Sequence, residues 1–392
     1  AGTYAADVGT LTRPPAGRRP QARRGEPAPR QAAERISFEP GVPWTDPTPA
    51  STWRRAWREV SAATPPPGYP DPLGLAELRG TVADYLGRVR GIACTADEVL
   101  VTAGTSHGLR LLLGARFDAG ARIGVEDPGY ATAVRSVRAA GMSVLDCPVD
   151  ADGLVVTALP ERHPPAAVYV TPAHQYPSGG RLPAARRQAL VEWARRHDVL
   201  VVEDDYDGEF RYDVAPLPAL AQLDRDNVVY LGTASKTLGP GLRVGWLVAA
   251  ADVVRGIARY RKGIADLPPW PAQRALIALF RDGHVDHAVK RARRRYADRR
   301  RRVCDVLAPY GTVAGSEAGL HVTLLLPDGV DDRAVRSAVA AAGVDVGAVS
   351  DFRRTSPGPS GLVVGYGSCA DGELARGLRV LAAVLRTSLG RD

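Results

Sequence analysis

Lysine is nearly missing from this chain. Of 51 basic side chains in 392 residues, only Lys236, Lys262 and Lys290 are lysines, and the rest are arginine. A composition rich in Ala, Gly, Pro and Arg writes its cations as Arg by default, so a retained lysine asks for a reason. Cysteine is scarce too. Cys94, Cys147, Cys304 and Cys369 lie far apart, with no C-x-x-C pair and no metal-ligand spacing. This excludes a disulfide framework and reads as reduced thiols in a cytoplasmic protein. No apolar run approaches the ~20 residues of a membrane helix, and no signal peptide opens the chain. No internal repeat is visible.

What is present is enough chain for two structured domains and a net charge of +8. Seven arginines face only Asp7, Glu26 and Glu34 within residues 1–35. That stretch is rich in Pro and Ala and lacks an apolar period, so residues 8–40 read as a solvated linker. A second basic run, from Lys290 to Arg302, has helical composition. It reads as a solvated helix face, with a DNA-contacting face as the alternative.

From Val99 onward, short apolar runs alternate with amphipathic stretches. Runs at 99–102, 122–125, 143–147, 167–171, 199–203, 228–232 and 244–248 have strand length. Helical stretches at 108–117, 131–140 and 183–197 lie between them. The pattern predicts an α/β fold, with a mainly parallel seven-stranded sheet sandwiched by helices over residues 67–265. Residues 266–392 alternate short strands (320–326, 361–366) with helices (332–342, 371–386), predicting a smaller α+β domain. Residues 41–66 are expected to form an N-terminal arm, with 53–60 packing near that smaller domain.

In such sheets ligands lie beyond the carboxyl ends of the strands, so the residues that end each strand carry the chemistry. The first strand leads through Gly104, Thr105 and Ser106 into a helix, where backbone N–H groups and hydroxyls suit a phosphate. Thr and Ser are also ordinary helix caps. The second strand ends in Glu126-Asp-Pro-Gly-Tyr130, whose ring is a stacking surface or a core aromatic. A later strand ends in Glu203-Asp-Asp-Tyr206. Carboxylates leaving a buried strand need a partner, such as a protonated ring nitrogen. Another run ends in Gly232-Thr-Ala-Ser-Lys236, with Arg243 seven residues on, a bidentate phosphate donor. Arg cannot replace Lys where an amine must lose its proton and attack a carbonyl, which makes Lys236 a candidate Schiff-base residue. Together these features describe a flat aldehyde bearing a ring nitrogen and a phosphate, which is pyridoxal 5′-phosphate.

Five segments carry a resemblance: Gly68-Tyr-Pro-Asp-Pro-Leu-Gly74, Glu126-Asp-Pro-Gly-Tyr130, Thr171-Pro-Ala-His-Gln-Tyr-Pro-Ser-Gly179, Glu203-Asp-Asp-Tyr-Asp-Gly-Glu-Phe-Arg-Tyr212 and Gly232-Thr-Ala-Ser-Lys-Thr-Leu238. In order and spacing they resemble the fold-type-I aminotransferases, most closely the aminotransferase-like domain of MocR/GabR-type regulators in the GntR superfamily. The resemblance implies that Lys236 holds the cofactor aldehyde and that Asp204 pairs with the ring nitrogen. It places Tyr206 on the phenolic oxygen, with Gln175 or His174 nearby, and Tyr130 on the ring face. Gly104, Thr105, Ser106, Thr233, Ser235 and Arg243 would hold the phosphate, and Tyr69 would reach the phosphate of a second subunit in a homodimer.

One position departs from the family. Many members carry an Arg for the substrate carboxylate at the start of the last small-domain strand, where this chain has Ser360-Gly361-Leu362. Arg353 or Arg354, just upstream, are the candidate substitutes. Ala1-Gly-Thr-Tyr-Ala-Ala-Asp7 is similar to the closing wing strand of a GntR-type winged helix, whose remainder is expected upstream. DNA binding is expected only through that part. The implied function is an effector domain that senses an amino acid or amine by aldimine exchange at Lys236. The alternative is a stand-alone aminotransferase acting on an amino acid and a 2-oxo acid.

Overall fold

The computed structural model describes residues 35–390, except 46–47, 213–216 and 356–357. A two-residue strand, β1 (Ile36–Ser37), comes first. The large sheet contains β2 (Val99–Thr102), β3 (Arg122–Asp127), β4 (Ser143–Asp150), β5 (Gly153–Leu154), β6 (Ala167–Val170), β7 (Leu200–Asp204), β8 (Val228–Thr233) and β9 (Gly245–Val248). A smaller sheet holds β10 (Thr312–Ala314), β11 (His321–Leu325), β13 (Gly347–Ala348) and β14 (Gly361–Gly365), while β12 (Val344–Asp345) pairs with β1. The helices are α1 (Ala50–Ala62), α2 (Ala76–Arg90), α3 (Thr105–Arg116), α4 (Ala131–Ala139), α5 (Ala184–His197), α6 (Leu220–Leu223), α7 (Ala251–Gly263), α8 (Trp270–Arg281), α9 (His284–Leu307), α10 (Asp332–Ala341) and α11 (Asp371–Ser388).

The large sheet runs β2-β9-β8-β7-β6-β3-β4-β5. All seven predicted strands are in it, and β5 adds a two-residue antiparallel edge. From β8 to β4 every pairing is parallel. Both faces are covered, so β6 and β8 are buried along their whole length, as their continuous apolar sequences require. One face packs α2, α5 and α8, and the other packs α3, α4 and α7. Because β9 is antiparallel to both β8 and β2, β2 points the same way as β8. The carboxyl ends of β2, β3, β6, β7 and β8 therefore share one edge.

The N-terminal side adds detail to the expectations. Residues 53–60 pack against α8, which lies within residues 266–392 as expected but belongs to the large-sheet cluster. Thr52, Ala56 and Val60 form one buried stripe, spaced four apart, that meets the apolar face of α8 within the large-sheet cluster. Docking onto the smaller sheet falls instead to residues expected in the linker. Ile36 and Ser37 pair in parallel with Val344 and Asp345, and Phe38 is fully buried in the apolar cluster of the smaller sheet. The rest of the expected linker and the Ala1–Asp7 motif lie outside the described residues. The apolar clusters change over between Ala288 and Ala292, inside α9, later than the 265/266 division expected from sequence. Among the described residues no helix is long and apolar enough to cross a membrane.

Candidate cofactor site

A cavity of about 320 Å³ opens at the shared carboxyl edge of the large sheet. Its wall draws on every strand end singled out by sequence. Gly104, Thr105 and Ser106 follow β2; Thr171 follows β6; Asp204 ends β7 and Tyr206 follows it; Thr233 ends β8, and Ser235 and Lys236 follow it.

At one end the residues converge on a cradle. Gly104 adopts φ +111°, and a Cβ there would lie 3.6 Å from Arg243 Nη2 and 3.7 Å from Thr233 Oγ1. Only a residue without a side chain leaves that space open. Gly104 also caps α3, which starts at Thr105 and not at the predicted Gly108. Thr105 and Ser106 thus sit in the first turn, where free N–H groups and the helix dipole favour an anion. The Thr233 hydroxyl donates to Ser235 Oγ at 2.9 Å, and Ser106 Oγ lies 3.2 Å from Tyr130 Oη. The guanidinium of Arg243 closes the cradle.

Lys236 lines the same cavity, with Nζ donating to the carbonyl of Gly41 at 2.6 Å. Burial pushes its pKa down, against the attraction of Asp207 and Asp204, so its neutral amine is more accessible than that of a surface lysine. Asp204 is 3% exposed. Its Oδ2 accepts from the Tyr169 hydroxyl, and its Oδ1 has no hydrogen-bond partner among the described residues. Burial raises its carboxyl to about 7, opposed by the hydroxyls of Tyr169 and Thr105. Such an oxygen is costly to leave unpaired, and a cationic N–H in the cavity would satisfy it.

The remaining predicted residues divide. Tyr130 and Tyr206 line the cavity. The Tyr206 hydroxyl donates to the His174 carbonyl at 3.0 Å. Gln175 and His174 stand behind the wall. Gln175 Nε2 donates to Glu126 Oε2 and to the Pro128 carbonyl, bracing the end of β3. Glu126 is buried there, and burial raises it to about 7 against the hydroxyl of Thr171. His174 Nδ1 lies 3.0 Å from Asp207 Oδ2. Tyr69 is 94% exposed and lies away from the cavity.

Arg353 and Arg354 are not brought to the cavity. Arg353 donates to the Pro359 carbonyl. Arg354 clamps the end of β3, donating to the carbonyls of Val125 and Glu126 and to Asp146. Its backbone N–H donates to Asp127 at 2.7 Å. In this structure both guanidinium groups are engaged in structural contacts away from the cavity.

Several wall residues escaped the sequence reading. Tyr169 holds Asp204 from inside β6, where it looked like ordinary core. Tyr176 sets its ring edge-on to Tyr130, at 5.7 Å and 84°, and to Tyr206, at 6.0 Å and 88°. The cis Tyr176–Pro177 bond lies beside it. Glu39 and Pro40, from the end of the segment read as linker, and Gly41 and Val42, from the start of the expected arm, also line the cavity. The proline after Tyr176 was the only available signal.

The residues present fit pyridoxal 5′-phosphate: an open anion cradle, a half-buried lysine, an unpartnered carboxylate oxygen and aromatic walls. The protein-family model "Aminotransferase class I and II" matches residues 39–362. The chain is 40% identical over 336 residues to the HTH-type pyridoxine biosynthesis transcriptional regulator PdxR of Corynebacterium glutamicum, covering 85% of this chain and 72% of that protein. It is 31% identical to the probable rhizopine catabolism regulatory protein MocR of Rhizobium meliloti, covering 91% of this chain and 73% of that one. Among solved structures it matches the α-aminoadipate aminotransferase LysN of Thermus thermophilus, complexed with N-(5′-phosphopyridoxyl)-L-leucine. That match has a TM-score of 0.83 and 26% identity, over 92% of this chain and 94% of that one. The chain belongs to the aminotransferase class I and II family, whose cofactor is pyridoxal 5′-phosphate, and within it to the aminotransferase-like part of the MocR/PdxR-type regulators.

Proposed function

We propose that this chain is the effector-sensing part of a transcription regulator, holding pyridoxal 5′-phosphate and reporting an amine through Lys236. The single observation that carries the reading is the buried, unpartnered Oδ1 of Asp204 in a cavity that also presents Lys236. Asp204 would pair with the ring nitrogen, Tyr206 with the phenolic oxygen, and Tyr130 with the ring face. Gly104, Thr105, Ser106, Thr233, Ser235 and Arg243 would hold the phosphate. Tyr69, exposed on this chain, would complete the cradle of a second subunit in a homodimer. The cofactor supplies an aldehyde on which amines exchange and an electron-poor ring. DNA contact belongs to a winged-helix part outside this chain.

A second reading has its own support. Among the cavity-lining residues the only cations are Lys236 and Arg243, and Arg243 stands in the phosphate cradle. An amino acid entering here meets no guanidinium reserved for its carboxylate. This favours a simple amine as ligand, or the cofactor itself as the signal. The name of the 40% identical relative, a pyridoxine-biosynthesis regulator, supports the cofactor version.

Absorbance of the purified protein tests both. Addition of pyridoxal 5′-phosphate is expected to give a visible band that sodium borohydride fixes to Lys236. A band that then shifts with one amine supports amine sensing. A band indifferent to a broad panel, in a protein whose DNA affinity follows cofactor concentration, supports the cofactor as signal. Sustained turnover with an amino donor and a 2-oxo acid would replace both with an aminotransferase. Absence of any band would sink all three.

A further inference from the structure

The space that the cradle needs keeps Gly104 a glycine, and a glycine gives α3 no side-chain cap. The entry to α3 is held from the other direction. His107, at the third helical position, turns its ring back, and its Nδ1 accepts from the Ala103 backbone N–H at 2.8 Å. Thr102 Oγ1 meets the Gly104 N–H at 3.3 Å. Both N–H groups before the helix are therefore occupied. The next two belong to Thr105 and Ser106, which line the cavity and have no intrahelical partner for them.

The partners of the ring assign its proton. A backbone N–H can only donate, so Nδ1 is bare, and Nε2 carries the hydrogen that meets Asp266 Oδ2 at 2.7 Å. Asp266 is anchored in turn by Arg261, a buried side chain that donates to the Asp266 carbonyl. Arg261 Nη1 also donates to the Val101 carbonyl at 2.6 Å and to that of Pro72 at 3.0 Å. The anchor thus rests on β2, the strand that delivers Ala103. Burial pushes the imidazole pKa down, opposed by Asp266 and reinforced by Arg261 and Arg110, which keeps the ring neutral. A neutral acceptor suits this place. Glu or Gln is the usual third-position residue that reaches back to a helix start, and a carboxylate would set negative charge beside an anion cradle. Imidazole makes the bond without that charge.

We infer that His107, oriented by Asp266, is the positioning residue of the phosphate cradle, fixing the Ala103–Gly104 turn so that the first N–H groups of α3 stay free for the phosphate. The role rests on the cofactor reading above. His107 is buried and does not line the cavity, so its effect on the cofactor passes through the backbone it holds. That backbone serves the phosphate end of the site and not the lysine end.

The test compares pyridoxal 5′-phosphate with pyridoxal, which lacks the phosphate, by titrating the visible band of wild type, His107→Leu and His107→Asn. Leu offers no acceptor, whereas Asn sets an oxygen near the place of Nδ1. His107→Leu is expected to weaken the phosphate form about tenfold, the order of one lost hydrogen bond, and pyridoxal by less than about twofold. His107→Asn should recover most of the loss. A side chain that merely stabilised the fold would weaken both aldehydes alike. In the cofactor-free wild type, long-range nitrogen–proton NMR should show the Nε2–H tautomer of His107, a readout that holds even if His107→Leu does not fold. Equal losses for the two aldehydes, unchanged affinity in His107→Leu, His107→Asn no better than His107→Leu, or an Nδ1–H tautomer would overturn the inference and leave the cofactor reading standing. A wild type without any band would remove both.

Discussion

Lys236 and Asp204 are both held in a cavity that disfavours their charged forms, and each substitution has a signature. Lys236→Ala should abolish the visible cofactor band and borohydride fixation while leaving the far-ultraviolet circular dichroism unchanged. Lys236→Arg should do the same, because guanidinium does not deprotonate. For Asp204 the sign follows from linkage. Its folded pKa, about 7, is above the ordinary value of 3.8, so the folded state holds the proton across that window. Its contribution is neutral below the lower value and turns destabilising as pH rises towards 7, by at most ~4 kcal/mol. Cofactor-free protein should thus lose melting temperature from pH 4 to pH 7. Asp204→Asn should flatten that decline and weaken cofactor binding at least tenfold. Parallel melting curves for the two proteins would count against the assignment. The lysine was legible because the composition so seldom uses one. Tyr169 was not, since a strand tyrosine reveals nothing about which carboxylate it touches.

At the scale of elements, α9 shows how one basic run splits into different energetic roles. Arg299 is 1% exposed and donates to the carbonyls of Tyr366, Gly367 and Cys369 and to Asp371. Arg301 is exposed and pairs only with Asp298, one turn earlier. Arg299→Ala should cost ~3 kcal/mol or more in urea unfolding, because it strands several buried carbonyls. Arg301→Ala should stay within ~0.5 kcal/mol. The loop joining β10 to β11 offers a sharper case. Gly319 has φ +79°, and a Cβ there would lie 2.0 Å from His174 Nδ1. Gly319→Ala should therefore destabilise by ~2–4 kcal/mol and disturb the wall behind Tyr206. Strands and most helices were readable from their periods. The start of α3 was not, because Gly104 gives no apolar signal and shows its role only through its backbone angle.

For the whole molecule, the expected assembly is a homodimer, which light scattering can measure. If Tyr69 completes a partner's cradle, Tyr69→Ala should weaken cofactor binding about tenfold. Mixing that variant with Lys236→Ala, after exchange of subunits, should restore one tight site per mixed dimer. Failure of the mixture to recover would place Tyr69 outside the cradle. The α/β architecture and the cofactor were open to sequence reading, since each motif is local. The path of residues 36–42 was not, because its partners lie up to hundreds of positions away. That path has a mechanical meaning. From Ile36, paired with Val344, the backbone passes through buried Phe38 to Gly41, whose carbonyl holds the amine of Lys236. The lysine therefore has a hand on the strand by which the chain enters this fold. Any event that claims its amine removes that one hydrogen bond from the segment, while Ile36 and Phe38 stay anchored on the far side.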